Sequence, residues 1–159
     1  LSVIAIAIEL KIDIDVVRKS FLSFLGVNRR FTKIGEINGA PVIDDYGHHP
    51  VEIDAVLKAA RSICDGRLVV VMQPHRYSRL KMLLSDFADS LMPADRLYIA
   101  EVYSAGEEYN GVDHNDLIEK IAAQGHNDIN TAIDFGKLKQ ELYDFVTAKD
   151  MVIFLMVGI

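Results

Sequence analysis

Ala40-Pro41-Val42-Ile43-Asp44-Asp45-Tyr46-Gly47-His48-His49-Pro50 runs from an apolar segment, through two carboxylates, a phenol and two imidazoles, to a proline that heads an amphipathic pattern. An apolar run that ends in a polar loop and restarts as a helix is a strand–loop–helix unit, and Pro50 suits the first helical position. In α/β proteins that place, at the carboxyl ends of strands and the amino ends of helices, is where ligands bind. The loop from Asp44 to Pro50 is therefore the first candidate site.

The fold class follows from what flanks this unit. Upstream, Thr32 to Ile37 and Ala40 to Ile43 enclose Asn38-Gly39, a tight hairpin signature, so the sheet begins antiparallel. Downstream, periods alternate: a helix from about Val51 to Cys64, a strand Leu68 to Met72, a helix Arg79 to Leu91 and a strand Arg96 to Ala100. A helix Asp113 to Gln124, a short strand near Asp128 to Asn130, a helix Phe135 to Thr147 and a strand Met151 to Leu155 complete the pattern. Such alternation predicts an α/β domain with a mainly parallel sheet.

The first part of the chain reads differently. Residues 2 to 10 suit a buried helix, and Asp13 or Asp15 can cap a second one running to about Phe24, with Gly26 as a stop. Neither helix has a strand of its own to cover, which predicts a boundary near Gly26 and two units, residues 1–25 and 26–159. A start at Leu1 and an end just after an apolar run are expected of a piece of a longer polypeptide.

Composition narrows the function classes. The chain has 159 residues, half of them hydrophobic, enough for one full α/β core. A net charge of −6 argues against nucleic acid as partner. Cys64 alone allows no intrachain disulfide framework and fits a reducing compartment. The apolar opening, Leu1 to Leu10, is too short to cross a membrane and lacks a basic leader.

Four clusters carry chemistry. In the first, Asp44 and Asp45 can be turn and cap residues with His48 and His49 merely solvated, or the four can hold a divalent metal; adjacent histidines seldom reach one ion. In the second, Gln73-Pro74-His75-Arg76-Tyr77-Ser78-Arg79 follows an apolar strand and opens a helix. Arg76 and Arg79, three apart, can share a helical face and grip one carboxylate or phosphate. Cations at a helix amino end oppose its dipole, which favours an anion there over a solvated basic turn. In the third, Asn28-Arg29-Arg30-Phe31 lies at the boundary, either as linker charges or as arginines brought to a phosphate by domain closure. The fourth, Tyr103-Ser104-Ala105-Gly106-Glu107-Glu108, lines the same edge, its glutamates expected to be solvated. No phosphate loop and no Gly-x-Gly-x-x-Gly fingerprint occurs.

In order and spacing, Asn28 to Phe31, Asp44 to Pro50, Gln73 to Arg79 and Val102 to Glu107 resemble the Mur ligases over nearly the whole chain. Pro74 to Arg79 favours the branch that joins L-alanine to UDP-N-acetylmuramate over the branch acting on murein tripeptide. The resemblance implies a cytoplasmic, three-domain, ATP-dependent ligase of peptidoglycan precursor synthesis. Residues 1–25 would end its central ATPase domain, and 26–159 would form its carboxyl-terminal, Rossmann-like domain, with helices on both sheet faces. It also implies that Arg30 and Asp45 contact ATP, and that Tyr46, His48, Arg76 and Arg79 surround the alanine. His48 would orient the amine or accept its proton, and ATP with Mg2+ would be held mainly by the central domain. The sequence departs from the family after its final strand, where Met156-Val157-Gly158-Ile159 replaces a glycine-rich turn. Two readings outside the family stay open: a non-enzymatic module that senses a carboxylate metabolite, and a metal-dependent hydrolase built on Asp44, Asp45, His48 and His49.

Overall fold

The computed structural model describes residues 2–24 and 26–157. Two helices, α1 (Ser2–Glu9) and α2 (Ile14–Ser23), precede a hairpin of β1 (Thr32–Ile37) and β2 (Ala40–Asp45). Then follow α3 (Pro50–Arg61), β3 (Leu68–Met72), α4 (Tyr77–Met82), α5 (Leu84–Leu91), β4 (Arg96–Ile99), α6 (His114–Ala123), β5 (Ile129–Thr131), α7 (Phe135–Phe145) and β6 (Met151–Leu155). The hairpin turns at Asn38 and Gly39, both at positive φ, the pair of conformations a two-residue primed turn requires.

The strands form one six-stranded sheet in the order β1-β2-β6-β3-β4-β5, antiparallel only between β1 and β2. β3 is buried along its whole length because both sheet faces are covered. Leu68, Val70 and Met72 join α3, α5 and α6 in one core, while Val69 and Val71 meet Leu138 and Leu142 of α7 in the other. Asp45 pairs with Leu155, Leu155 with Met72, and Met72 with Ile99, so the loops after β2, β3 and β4 leave the sheet at one edge.

The helix expected from Arg79 to Leu91 is two helices. Leu83, at φ −118°, ends α4 by donating to the Arg79 carbonyl, and its own carbonyl starts α5 by accepting from Phe87. Leu80 and Phe87, on either side of this break, are both fully buried in the same core. α2 is capped by Asp13, as expected, and packs against α1. Val3, Ile6, Ile8, Ile14, Phe21 and Leu22 of these helices remain exposed. Gly158 and Ile159, part of the departure noted after the last strand, lie outside the described residues.

The opposite edge of the sheet is clasped by charge. Asp150, 3% exposed, accepts from the backbone N–H, Nε and Nη2 of Arg67 at 2.8, 3.1 and 2.6 Å and from the backbone N–H and Oγ1 of Thr147 at 2.8 and 3.0 Å. Arg67 and Arg96 each bring a guanidinium carbon to within 3.7 and 3.5 Å of the Phe145 ring centre. Burial favours the neutral acid at Asp150, but these donors outweigh it and hold the carboxyl far below its usual range.

Candidate functional site

β2 ends in two adjacent carboxylates at the edge where the loops after β2, β3 and β4 leave the sheet, and they have different neighbours. Asp44, 6% exposed, accepts from Arg29 Nε at 2.9 Å, while its Oδ1 is the one buried side-chain polar atom left without a partner among the described residues. Arg29 also donates to the carbonyls of Met156 and Val157 at 2.5 and 3.0 Å and lies 5.2 Å from the Tyr46 ring centre. It thereby ties the turn before β1 to the ends of β2 and β6.

Asp45 is 3% exposed, and its carboxylate accepts the N–H of Phe31 and of Gly47, each at 2.7 Å, which shapes the loop. Backbone donors in a tight turn have no helix or sheet partner, and the nearest carboxylate claims them. Gly47 permits this closure, since a Cβ there would sit 2.9 Å from Asp45 Oδ1. Arg30 is half exposed, with its Nη1 3.3 Å from Glu52 Oε1. Burial raises the Glu52 carboxyl, but the His48 N–H and Arg30 outweigh it and hold the group low.

Beyond Asp45 lies a row of rings. Tyr46 meets His48 edge-on at 5.3 Å, His48 meets His75 edge-on at 5.7 Å, and His75 stacks on Tyr103 at 5.5 Å. The His48 Nδ1 lies 3.0 Å from the Tyr46 carbonyl and 3.8 Å from Glu52 Oε2. His49 is the N-cap of α3, with Pro50 at its first position.

The loop after β3 is held by an extra parallel bridge between His75 and Tyr103, in which Arg76 N–H donates to the Tyr103 carbonyl and Tyr103 N–H to that of Pro74. This fixes Arg76 at φ 69°, a conformation that side chains rarely adopt and that concentrates at functional sites. Arg76 is thus the residue before α4 and not on its face, which alters the expected arginine pair. Arg79 sends Nη1 to His75 Nδ1 at 3.1 Å, and Arg76 Nη1 lies 3.7 Å from Glu107 Oε1. The two arginines flank His75 from separate elements. Burial, then the charges of Arg79 and Arg76, push the His75 imidazole below its ordinary value, with Glu107 pulling the other way.

An anion does sit at the start of α4, and it is Glu107. Its carboxylate accepts the N–H of Ser78 at 2.9 Å and the Ser78 hydroxyl at 2.7 Å, which holds it below the usual range. The expectation of a solvated Glu107 fails because the chain reverses through Ala105 and Gly106, both at positive φ, and turns that side chain onto the helix. His75 and Glu107 stand within the sequence motifs without a signal of their roles, and the positive φ of Arg76 and of Ala105 has no sequence signal.

Among the described residues no group of three or more His, Cys, Asp or Glu is arranged to hold a metal ion, since Asp44 is paired with Arg29 and Asp45 with backbone. No helix among them is long and apolar enough to cross a membrane.

One edge of this mainly parallel, Rossmann-like sheet thus gathers two arginines, two imidazoles and two phenols. Residues 29–156 match the glutamate ligase domain of the Mur ligases, and the chain belongs to that family. It is 46% identical over 159 residues to the UDP-N-acetylmuramate–L-alanine ligase of Jannaschia sp. CCS1, covering 99% of this chain and 34% of that protein. A Methylorubrum extorquens protein of the same name is 51% identical over 126 residues, covering 79% of this chain and 27% of its own length. A crystal structure of UDP-N-acetylmuramate-alanine ligase from Thermotoga maritima superposes with a TM-score of 0.78 at 26% identity, over 99% of this chain and 33% of the other. The chain therefore spans about a third of the length of the relatives it matches.

Proposed function

We propose that this chain is the amino-acid-binding, carboxyl-terminal part of an ATP-dependent ligase that joins L-alanine to UDP-N-acetylmuramate in the cytoplasm, during peptidoglycan precursor synthesis. The observation that supports the reading is the grouping of Tyr46, His48, Arg76 and Arg79 at one edge of the sheet in a Mur ligase domain. ATP supplies the phosphoryl group that activates the muramate carboxylate. The task left to these residues is to hold alanine so that its amine meets the activated carbonyl, and positioning alone can supply a large part of the rate.

Arg76 is half exposed and only loosely paired with Glu107, so its outer N–H groups are free to bind the alanine carboxylate. Arg79 reinforces the same end through His75. With the carboxylate anchored there, the amine points toward His48 and Tyr46. In this reading Arg30, half exposed and 3.3 Å from Glu52, contacts the nucleotide. Asp45 acts indirectly by fixing the backbone of Phe31 and Gly47 on which Arg30 and His48 depend. In this reading Mg2+ and the phosphates are held mainly by the central ATPase domain of the parent polypeptide. The exposed apolar faces of α1 and α2, together with a family match that starts at residue 29, support assigning these helices to the end of the central ATPase domain.

The test compares the parent polypeptide with this chain. The parent forms UDP-N-acetylmuramoyl-L-alanine from L-alanine, ATP and UDP-N-acetylmuramate, and the 159 residues alone form none. A parent that fails to consume ATP in the presence of all three overturns the assignment.

A further inference from the structure

His48 and His75 lie ring to ring at the same edge of the sheet, and their partners differ in kind. The His75 Nδ1 faces the guanidinium of Arg79 at 3.1 Å. Guanidinium is a donor without acceptor capacity and stays charged, so the Nδ1 must offer its lone pair and the ring proton must reside on Nε2. The His48 Nδ1 faces the carbonyl of Tyr46 at 3.0 Å, with the carboxylate of Glu52 at 3.8 Å behind it. Both are acceptors, so this Nδ1 must carry the proton, and the lone pair of the neutral ring resides on Nε2. Neither Nε2 has a hydrogen-bond partner among the described residues, and neither is buried.

We infer that His48 and His75, in their neutral forms, are locked in opposite tautomers, His48 presenting an Nε2 lone pair to the amino group of the incoming amino acid and His75 an Nε2–H to its carboxylate. This rests on the ligase reading above and adds His75 to the residues that select the ligand. An α-amino acid offers donors at one end and acceptors at the other, a short distance apart. Two adjacent rings with one acceptor and one donor match that polarity. A ligand with a hydroxyl or methyl in place of the amine leaves the His48 lone pair unanswered, and one with an amide in place of the carboxylate weakens the bonds to His75 and Arg76. Specificity then comes from polar groups left without partners, which reject analogues more strongly than missing apolar contacts do. When the ammonium gives up a proton before attack, the His48 Nε2 receives it and Glu52 faces the resulting imidazolium. Attack of the neutral amine on the acyl phosphate forms the C–N bond and breaks the acyl C–O bond, the second amine proton leaves with the phosphate as hydrogen phosphate, and the proton on His48 passes to solvent.

Two measurements test the pair. Imidazole nitrogen shifts of this chain, recorded at about pH 8 where free histidine is neutral, read the tautomers directly. The expected result is the less common Nδ1–H form for His48 and the Nε2–H form for His75. An Nε2–H form for His48 overturns the inference and leaves the ligase assignment untouched. In the parent ligase, His75→Leu raises the KM for L-alanine about tenfold with the KM for ATP unchanged, the size expected for losing a hydrogen bond to a charged group. His75→Gln, whose amide N–H reaches the position of Nε2, recovers most of that loss. An alanine KM that His75→Leu does not move overturns the role of His75 alone, whereas a wild-type parent whose ATP use does not depend on alanine overturns the ligase reading and this inference with it.

Discussion

Replacing Asp150 by Asn tests how the domain holds the edge opposite its site. The carboxylate has five donors on two oxygens, from Arg67 and Thr147, and is 3% exposed. Asparagine keeps one acceptor oxygen and turns an NH2 toward the donors that faced the other. The backbone N–H and hydroxyl of Thr147, a residue that is itself exposed, lose their acceptor, at about 1 kcal/mol for each bond. Arg67, whose side chain is 38% exposed, recovers water and adds little. The sum is about 2 kcal/mol, and for a domain of this size each kcal/mol moves Tm by about 2–4 °C, so thermal unfolding followed by circular dichroism shows a fall of about 4–8 °C. Because folding holds the Asp150 carboxyl below its unfolded value of about 3.9, the stabilisation is complete above that pH and is lost as pH falls toward the folded-state value. The difference between wild type and Asp150→Asn therefore holds down to about pH 4 and narrows in stronger acid. A Tm unchanged at neutral pH, or a difference that persists undiminished in acid, would refute the clasp.

Further outcomes follow from single contacts. Gly66→Ala places a Cβ 2.5 Å from the Lys149 carbonyl oxygen and 2.7 Å from Asp150 Oδ1, so it costs about 1–3 kcal/mol in urea unfolding; wild-type stability would show that this backbone gives way. Arg29→Ala leaves the buried Asp44 without its cation and frees the ends of β2 and β6, a loss of about 3 kcal/mol by the same assay that Asp44→Asn partly restores. The His75 ring, held below its ordinary value by burial and by Arg79, titrates in the folded chain at a pH lower than the roughly 6.5 of a free imidazole. The unfolded chain binds that proton first, so His75 makes stability decline as pH falls below about 6.5, and His75→Gln flattens this part of the curve. A His75 resonance that titrates above 6.5 would contradict the placement of Arg79.

The architecture was legible because periodicity reports burial. The spans Leu68–Met72 and Met151–Leu155 agree with the observed strands residue for residue, and Asn38-Gly39 turned the hairpin as its positive φ preference requires. What escaped the sequence was the direction of polar side chains at the ends of these elements. Asp44 and Asp45 look alike in sequence, yet the alternation of a strand sends one to Arg29 and the other to backbone N–H groups. Arg76 and Arg79 looked like one helical pair because the left-handed backbone of Arg76, imposed by its bridge to Tyr103, is a tertiary constraint on a residue with no local preference for it. Glu107 reached α4 for the same reason: a reversal at Ala105-Gly106 decides its aim, and only the glycine hints at the turn.

The most direct test of the ligase account is the alanine dependence of the parent enzyme carrying Arg76→Ala. Loss of charge-assisted hydrogen bonds to the alanine carboxylate raises the KM for L-alanine about tenfold or more, with the KM for ATP near its wild-type value. An unchanged alanine KM, or one that moves only in step with that for ATP, would contradict the claim that this group of residues holds the incoming amino acid.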